Sequence, residues 1–147
     1  MQPPRLAVLD DVKLIELRPL QAEDRTLIVL EAERQVPFPI RRVFNVHAHR
    51  AGLIGGHHAH RICQQFLVCA HGACDVMVAA ELDEQRHFLL DRPDLGLWIP
   101  ASLWSDQRYL TADTVLMVAC DQVYDATDYL RDPEAYTAYR RSGSALA

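Results

Sequence analysis

A chain of 147 residues, 50% apolar and 24% charged, has the size and composition of one globular domain with a substantial core. Its net charge of −5 argues against nonspecific binding to nucleic acid or anionic membranes, although local arginines can still bind a phosphorylated small molecule. No apolar run approaches the roughly eighteen residues of a membrane span, and the N-terminus has no signal-type stretch. We therefore expect a single cytoplasmic domain over residues 1–147 with no nucleic-acid or membrane partner.

The first 120 residues read as short β-strands. The segments "LAVL", "VKLIEL", "TLIVLEA" and "IRRVFNV" are aliphatic or β-branched runs bounded by Asp, Pro and Arg. "QQFLVCAHGACDVMVAAEL" resembles a hairpin that turns at Gly72. "RHFLL", "GLWIP", "RYLT" and "TVLMVAC" continue the pattern. Many short strands with Gly and Pro turns predict an all-β sandwich or small barrel of jelly-roll type.

The tail has a different period. Residues 128–141, "DYLRDPEAYTAYRR", predict a short helical segment with a break at Pro133. Tyr129, Tyr136 and Tyr139 would pack it onto the barrel. The four cysteines form no C-x-x-C pair, so we expect free, mostly buried thiols rather than a zinc site.

Five of the seven histidines lie between Asn45 and Gln65, where His-Ala-His-Arg occurs twice, at His47–Arg50 and His58–Arg61. Side chains alternate along a strand, so His58 and His60 should share one face. His47 and His49 also alternate, but they end a strand and begin a loop, where exposure costs nothing. The pair at His58 and His60 is therefore the stronger candidate for a site.

This pair has two chemical interpretations. A metal-binding cupin would place a glutamate a few residues later and a further histidine in a second motif, but this chain has Gln64 and Gln65, then Trp104 and Ser105. Two imidazoles and an amide make a weak divalent-metal site. Acid–base catalysis needs no metal, because imidazole titrates near neutrality. We favour acid–base chemistry without a cofactor; a metal-dependent cupin enzyme using His57 with the pair remains open.

The order "PFPIRRVFNV…GGHHAHRICQQFLVCAHGACDVMV…LGLWIPASLW…VYDATDYLRD" resembles the WxcM-like cupins, the nucleotide-sugar 3,4-ketoisomerases. The resemblance spans about residues 24–139. It implies an all-β, cupin-type jelly-roll β-barrel with a short C-terminal helical segment. It also implies a metal-free homodimeric isomerase, often with exchanged N-terminal strands. It also implies a dTDP-4-keto-6-deoxyhexose substrate, whose carbonyl moves from carbon 4 to carbon 3 in deoxyamino-sugar biosynthesis. The catalytic histidines of the family's "HAH" motif fall on His58 and His60. We expect His60 to be the base or proton shuttle and His58 to be its partner in proton transfer or orientation.

Five further residues are candidates for substrate binding: His57, Gln65, Arg42, Arg61 and Trp104. The arginines suit a diphosphate, and the tryptophan could stack on a base or sugar. The chain departs from the family pattern at Phe44-Asn45, Gly55 and Ser105, where tyrosine hydroxyls and cationic side chains are usual. These losses keep a second hypothesis open, a noncatalytic sugar-nucleotide-binding member of the family.

Overall fold

A computed structural model describes residues 5–143, which form two five-stranded antiparallel sheets and a two-stranded ribbon. The strands are β1 (Lys13–Glu16), β2 (Leu20–Gln21), β3 (Thr26–Leu27), β4 (Arg42–His47), β5 (Ile54–His60), β6 (Gln65–His71), β7 (Cys74–Ala79), β8 (Gln85–Leu90), β9 (Leu95–Ile99), β10 (Trp104–Tyr109), β11 (Val115–Cys120) and β12 (Tyr129–Leu130). Two 3-10 turns, Leu9–Asp11 and Ala126–Asp128, and one helix, α1 (Pro133–Arg141), complete the described elements.

The two sheets have the strand orders β1-β9-β6-β11-β4 and β12-β5-β10-β7-β8. From β4 onward the chain crosses between the sheets at every connection except β7 to β8, which is the connectivity of a jelly roll. This confirms the predicted fold class. The sheets face each other, so alternate residues of each strand point into one shared interior.

The predicted hairpin around Gly72 is half right. Both strands exist, and Gly72 has φ +79°, as the turn requires. The strands do not pair with each other, however: β6 lies between β9 and β11, and β7 lies between β10 and β8. Each strand is central in its own sheet, and an apolar run joined by a glycine turn does not show whether the chain stays in one sheet or crosses to the other.

The buried apolar side chains form three clusters: one between the two sheets, one on the outer face of the first sheet and one beneath α1 on the outer face of the second sheet. Aliphatic residues of both sheets, including Leu67, Val76, Leu97 and Leu116, fill the interior and are 0–1% exposed. Irregular chain between β3 and β4 covers the outer face of the first sheet, with Phe38 packed in the same cluster as side chains of β6. Each fully buried large apolar side chain stabilises the fold by about 1.5–3 kcal/mol.

The C-terminal segment is helical over a shorter range than predicted. Helix α1 begins at Pro133, with Asp132 accepting the backbone N–H of Ala135 at 3.1 Å as its N-cap. Tyr136 and Tyr139 pack onto the outer face of the second sheet, as expected. Before Pro133 the chain is not α-helical: Asp128 ends a 3-10 turn and Tyr129–Leu130 form β12. Asp132 is extended, which is the usual conformation of a residue before proline.

Some strand predictions were wrong in extent. "LAVL" contains no strand, because its end enters the 3-10 turn at Leu9–Asp11. "TLIVLEA" is a strand only at Thr26–Leu27, and "RYLT" is the end of β10, which already begins at Trp104. All four cysteines are free and buried, as predicted. Within residues 5–143, the helical content is too short and too polar to cross a bilayer.

Candidate active site

Strand β5 places both histidines of the second His-Ala-His-Arg sequence on the inner face of its sheet. Ala59 points to the opposite face and lies in the cluster beneath α1. The pairing of β5 with β10 shifts by one residue beside Gly56, which has φ +85°. His57, at φ +58°, is the extra residue of this bulge. His58 and His60 therefore share the inner face, as the alternation predicted.

The imidazole of His60 is held by a buried carboxylate. His60 is 5% exposed, and its Nδ1 lies 2.9 Å from Oδ2 of Asp128. The backbone N–H groups of Ile62 and Cys63 also donate to this carboxylate, at 2.7 and 3.3 Å. Burial acts to raise the pKa of Asp128, but these hydrogen bonds, led by that from His60, outweigh it and lower the pKa. An ionised Asp128 fixes the proton of His60 on Nδ1.

The imidazole of His58 is neutral and oriented. Its Nδ1 lies 2.9 Å from the carbonyl oxygen of Gly56, which can only accept, so Nδ1 carries the proton. Burial lowers the pKa of His58 to about 4, and the nearby charges of His60 and Arg131 act in the same direction. The hydrogen bond to Gly56 opposes this shift without cancelling it. At neutral pH, Nε2 of His58 therefore has a free lone pair.

The two imidazoles touch each other and a tyrosine. The ring centroids of His58 and His60 are 4.9 Å apart in an edge-to-face arrangement. Tyr129 on β12 lies 5.0 Å from the first ring and 4.4 Å from the second. The Arg131 guanidinium stacks 4.4 Å over the Tyr129 ring. Nε2 of His60 is buried and has no hydrogen-bond partner among the described residues, so one of its protonation sites is available for chemistry.

Arg42 extends this cluster toward the surface. Its guanidinium lies 5.6 Å from the ring centroids of both Phe44 and Tyr124. It also donates to Sγ of Cys120 at 3.5 Å and contacts the hydroxyl of Tyr129. Arg42 therefore supplies a fixed cation beside Tyr129, with an exposed aromatic ring, Tyr124, next to it.

A cavity of about 370 Å³ lies between the two sheets beside these residues. Its polar lining comes from His58, Gln65, Gln107, Tyr129 and Arg131. The remaining walls are mostly apolar: Phe44, Val46, Leu53, Ile54, Leu67, Tyr109, Leu116 and Val118, with Gly55 and Gly56. Of the predicted site residues, His58 and Gln65 line this cavity directly. His60 lies behind its wall, against the ring of His58.

Three predicted substrate-binding residues lie elsewhere. His57 is exposed, and its ring pairs with Asp106 at 3.0 Å. Arg61 stacks on Tyr139 of α1, with 5.3 Å to the ring centroid, and borders a separate groove of about 630 Å³. Trp104 is 5% exposed and packs beneath α1. Strand alternation explains all three positions. Each of these residues is the immediate neighbour in sequence of an inward-facing residue (His58, His60 or Ser105), so its own side chain points away from the cavity.

The remaining histidines lie outside the cavity. His47 and His49 are exposed at and just beyond the end of β4, as expected. Two others are exposed and pair with carboxylates: His71 with Asp113, and His87 with Asp75.

Asp128 is the main residue that the sequence reasoning left without a role. It was recognised only as part of the ending "VYDATDYLRD", together with Tyr129 and Arg131. The available signal was chemical: a histidine buried on an inward face needs a polar partner for its second nitrogen. Gln107 gave no signal, because an isolated amide in a strand has many ordinary roles.

One compact group of potential metal ligands occurs in residues 5–143. His60, Cys63 and Asp128 each offer a ligand atom, all within 4.8 Å of one another. This is a different set from the His57, His58 and His60 combination considered above. Both carboxylate oxygens already accept hydrogen bonds, so an ion would have to replace those contacts.

A double-sheet jelly roll with an inward histidine pair, one ring supported by a carboxylate, defines a cupin-type domain equipped for acid–base chemistry. Comparison with known proteins makes this assignment specific. The family model described as "WxcM-like, C-terminal" (FdtA) matches residues 10–141. The chain belongs to this family, as its sequence pattern indicated.

The relatives of known function agree with one another. A TDP-4-oxo-6-deoxy-alpha-D-glucose-3,4-oxoisomerase of Aneurinibacillus thermoaerophilus is 30% identical over 130 residues, which cover 86% of this chain and 91% of that protein. The sugar 3,4-ketoisomerase QdtA of Thermoanaerobacterium thermosaccharolyticum, crystallised with TDP, superposes with a TM-score of 0.86 at 27% identity, over 92% of this chain and 98% of that one. The TDP-quinovose 3,4-ketoisomerase WlaRB of Campylobacter jejuni gives 0.83 at 28% identity, covering 88% and 99%.

Proposed function

We propose that this protein is a sugar-nucleotide 3,4-ketoisomerase that moves the carbonyl of a dTDP-4-keto-6-deoxyhexose from carbon 4 to carbon 3. The observation that carries the proposal is the pair of imidazoles, 4.9 Å apart, beside a cavity between the sheets, with Asp128 behind one of them. The named relatives act on substrates of this kind, and family membership extends over nearly the whole chain.

The reaction moves two protons, one from carbon 3 to carbon 4 and one from the oxygen on carbon 3 to the oxygen on carbon 4. The hydrogen on carbon 3 is acidic because it lies next to the carbon 4 carbonyl. A base removes it while the carbonyl oxygen gains a proton, which gives an enediol. Carbon 4 is then protonated, and the oxygen on carbon 3 loses its proton to become the new carbonyl. One proton carrier is needed at carbon and one at oxygen, and two adjacent imidazoles supply both.

His60 is the proposed base for the carbon-bound proton. Asp128 holds a proton on its Nδ1 and stabilises the imidazolium that forms when Nε2 accepts a second one. His58 lines the cavity as a neutral ring and is the proposed carrier for the oxygen-bound proton. Since Nε2 of His60 lies behind the cavity wall, substrate binding must displace the His58 or Tyr129 ring slightly to expose it.

The nucleotide portion is proposed to lie toward Arg131 and Arg42. The Arg131 guanidinium stacks on the Tyr129 ring and lines the cavity, and the Arg42 guanidinium contacts the Tyr129 hydroxyl. Planar guanidinium groups suit diphosphate oxygens. The exposed ring of Tyr124 offers a face for base stacking. Gln65, 7% exposed on the opposite sheet, is proposed to hydrogen-bond the sugar.

We also propose a cytoplasmic homodimer. The resemblance to homodimeric family members supports it, as does the edge position of the four-residue strand β1, where Leu14 is 47% exposed. Light scattering after gel filtration should give twice the chain mass; a mass of one chain would contradict the dimer.

Incubation with TDP-4-keto-6-deoxyglucose in deuterated water tests the activity. A ketoisomerase should incorporate solvent deuterium into the hexose and yield a 3-keto product, which NMR and mass spectrometry detect. The His60→Asn variant controls for uncatalysed exchange. Binding of the substrate without exchange would favour the noncatalytic sugar-nucleotide binder. Stoichiometric metal in the purified protein, with activity lost on chelation, would favour the metal-dependent alternative.

A further inference from the structure

Strand β10 contributes an amide to the cavity on the side of the catalytic histidines. Gln107 is 8% exposed and lines the cavity. Its Nε2 donates to Oγ of Ser105 at 2.8 Å. Ser105 is itself 3% exposed and is the direct cross-strand partner of His58. Side chains in such positions on one sheet face have Cβ atoms about 5 Å apart. Gln107 and Ser105 therefore form a polar pair next to one of the two imidazoles.

The backbone of β5 is shaped around this pair. Gln107 is the cross-strand partner of Gly55. A Cβ on Gly56 would lie 2.7 Å from Oε1 of Gln107 and 2.8 Å from the carbonyl oxygen of Ser105. The absence of a side chain at Gly56 therefore leaves the space that the Gln107 amide occupies beside His58, whereas a side chain at Gly55 would meet the ring of Tyr109. The carbonyl oxygen of Gly56 also accepts the hydrogen bond that orients His58. Gly56 therefore contacts both the His58 imidazole and the space that the Gln107 amide occupies.

The amide has unused hydrogen-bonding capacity. Among the described residues, the hydrogen bonds of Gln107 use only Nε2, which leaves Oε1 and one N–H. The Ser105 hydroxyl, which accepts from Nε2, still has its own proton to donate. The other polar side chains on this side of the cavity are His58, Tyr129 and Arg131, and none of them hydrogen-bonds to Gln107. A polar group so enclosed is costly unless it binds water or a ligand.

We propose that Gln107, held by Ser105, binds a hydroxyl or carbonyl oxygen of the hexose ring and acts as a specificity residue for the sugar. Gln65 lies on the facing sheet, so the two amides would hold the ring from opposite sides while His58 and His60 act on it. The proposal rests on the proposed function for the identity of the ligand. Gly55 and Ser105 are too small to reach the sugar as the larger residues usual in the family would. The proposal assigns that contact to Gln107.

Binding measurements test this contact independently of catalysis. Titration calorimetry with TDP and with TDP-4-keto-6-deoxyglucose gives the affinity that the sugar adds to the nucleotide. In Gln107→Met, which keeps the side-chain length but has no amide, we expect the affinity for the sugar nucleotide to fall about tenfold, with the affinity for TDP unchanged. Gln107→Glu, which retains an acceptor, should recover part of the loss. Gln85→Met, at an exposed amide on β8 of the same sheet, is the matched control and should behave as wild type.

The outcomes separate the two proposals. The sugar increment is the gain in affinity of TDP-4-keto-6-deoxyglucose over TDP. If Gln107→Met leaves this increment unchanged, the proposed contact is wrong. A parallel loss of affinity for TDP would also contradict it, because it would indicate a structural role. A wild-type protein that binds the sugar nucleotide no better than TDP would overturn it as well. If the wild type shows the sugar increment and loses it in Gln107→Met but exchanges no deuterium, the sugar contact stands and the isomerase proposal fails.

Discussion

The two copies of His-Ala-His-Arg have opposite orientations in the fold. In His47–Arg50, both histidines are exposed and Ala48 is packed in the interior core. In His58–Arg61, both histidines point inward and Ala59 is packed in the outer cluster beneath α1. Identical tetrapeptides thus place their histidines on opposite sides of a sheet, because a shift of one residue in register exchanges the two faces.

The surroundings complete the difference. The second copy lies on a strand between β10 and β12, and it meets a buried carboxylate, a tyrosine ring and the cavity. The first copy ends β4, an edge strand, and runs into a loop. The His-Ala-His-Arg sequence alone does not make a candidate active site. The site also requires the strand register that turns the histidines inward and the distant Asp128, which contacts His60.

Replacing one histidine in each copy should give the largest contrast. His60→Asn removes the proposed base and should lower kcat for isomerisation by about 10²–10⁴-fold. His49→Asn, in the corresponding position of the exposed copy, should leave kcat within about twofold of wild type, since surface substitutions rarely matter. Steady-state kinetics on both variants measure this. Equal losses in the two variants, or none in either, would contradict the assignment of the second copy as the site.

Removing the charge behind His60 should have the next largest effect. Asp128→Asn can donate to Nδ1 and so place the ring proton on Nε2, where it blocks proton abstraction; a loss of roughly 10²-fold or more in kcat is expected. KM should change little, because Asp128 does not line the cavity.

The matched control is Asp113→Asn, which removes the negative charge of the exposed carboxylate that pairs with His71. It should keep full activity. If Asp128→Asn unfolds at lower urea concentration but retains wild-type kcat in its folded state, Asp128 supports the fold and not the reaction.

Sequence reasoning reached the fold and the inward face but not the full site. Alternation along a strand is a local property, so the common face of His58 and His60 was predictable. The partnership with Asp128 was not, because it depends on β12 pairing with β5, and β12 had been predicted as part of a helix. The same limit explains Trp104: its ring was expected in the site, but its face of β10 is the one that α1 covers.

Acidification should reveal a smaller difference between the two copies, in how histidine replacement changes the loss of folding stability at low pH. The folded-state pKa of His58, about 4, lies below its ordinary value of 6.5 because the ring is buried. The unfolded chain therefore binds one more proton between these values, and stability present above pH 6.5 is lost as the pH falls toward 4. The loss is on the order of 2–3 kcal/mol. Urea unfolding at pH 7 and pH 4.5 should show a smaller loss for His58→Gln than for wild type. His47→Gln should reproduce the wild-type loss.

The smallest effect is expected at the boundary of the site. His57 is next to His58 in sequence, yet its ring is exposed and paired with Asp106 outside the cavity. Asn tolerates its positive φ, and surface ion pairs contribute about 0–1 kcal/mol, so His57→Asn should change stability by less than about 1 kcal/mol. Its kcat/KM should stay within about twofold of wild type. A tenfold fall in kcat/KM would mean that the bulge reorganises around the substrate and brings His57 to it. In that case the one-residue register difference would not by itself decide which histidines serve the reaction.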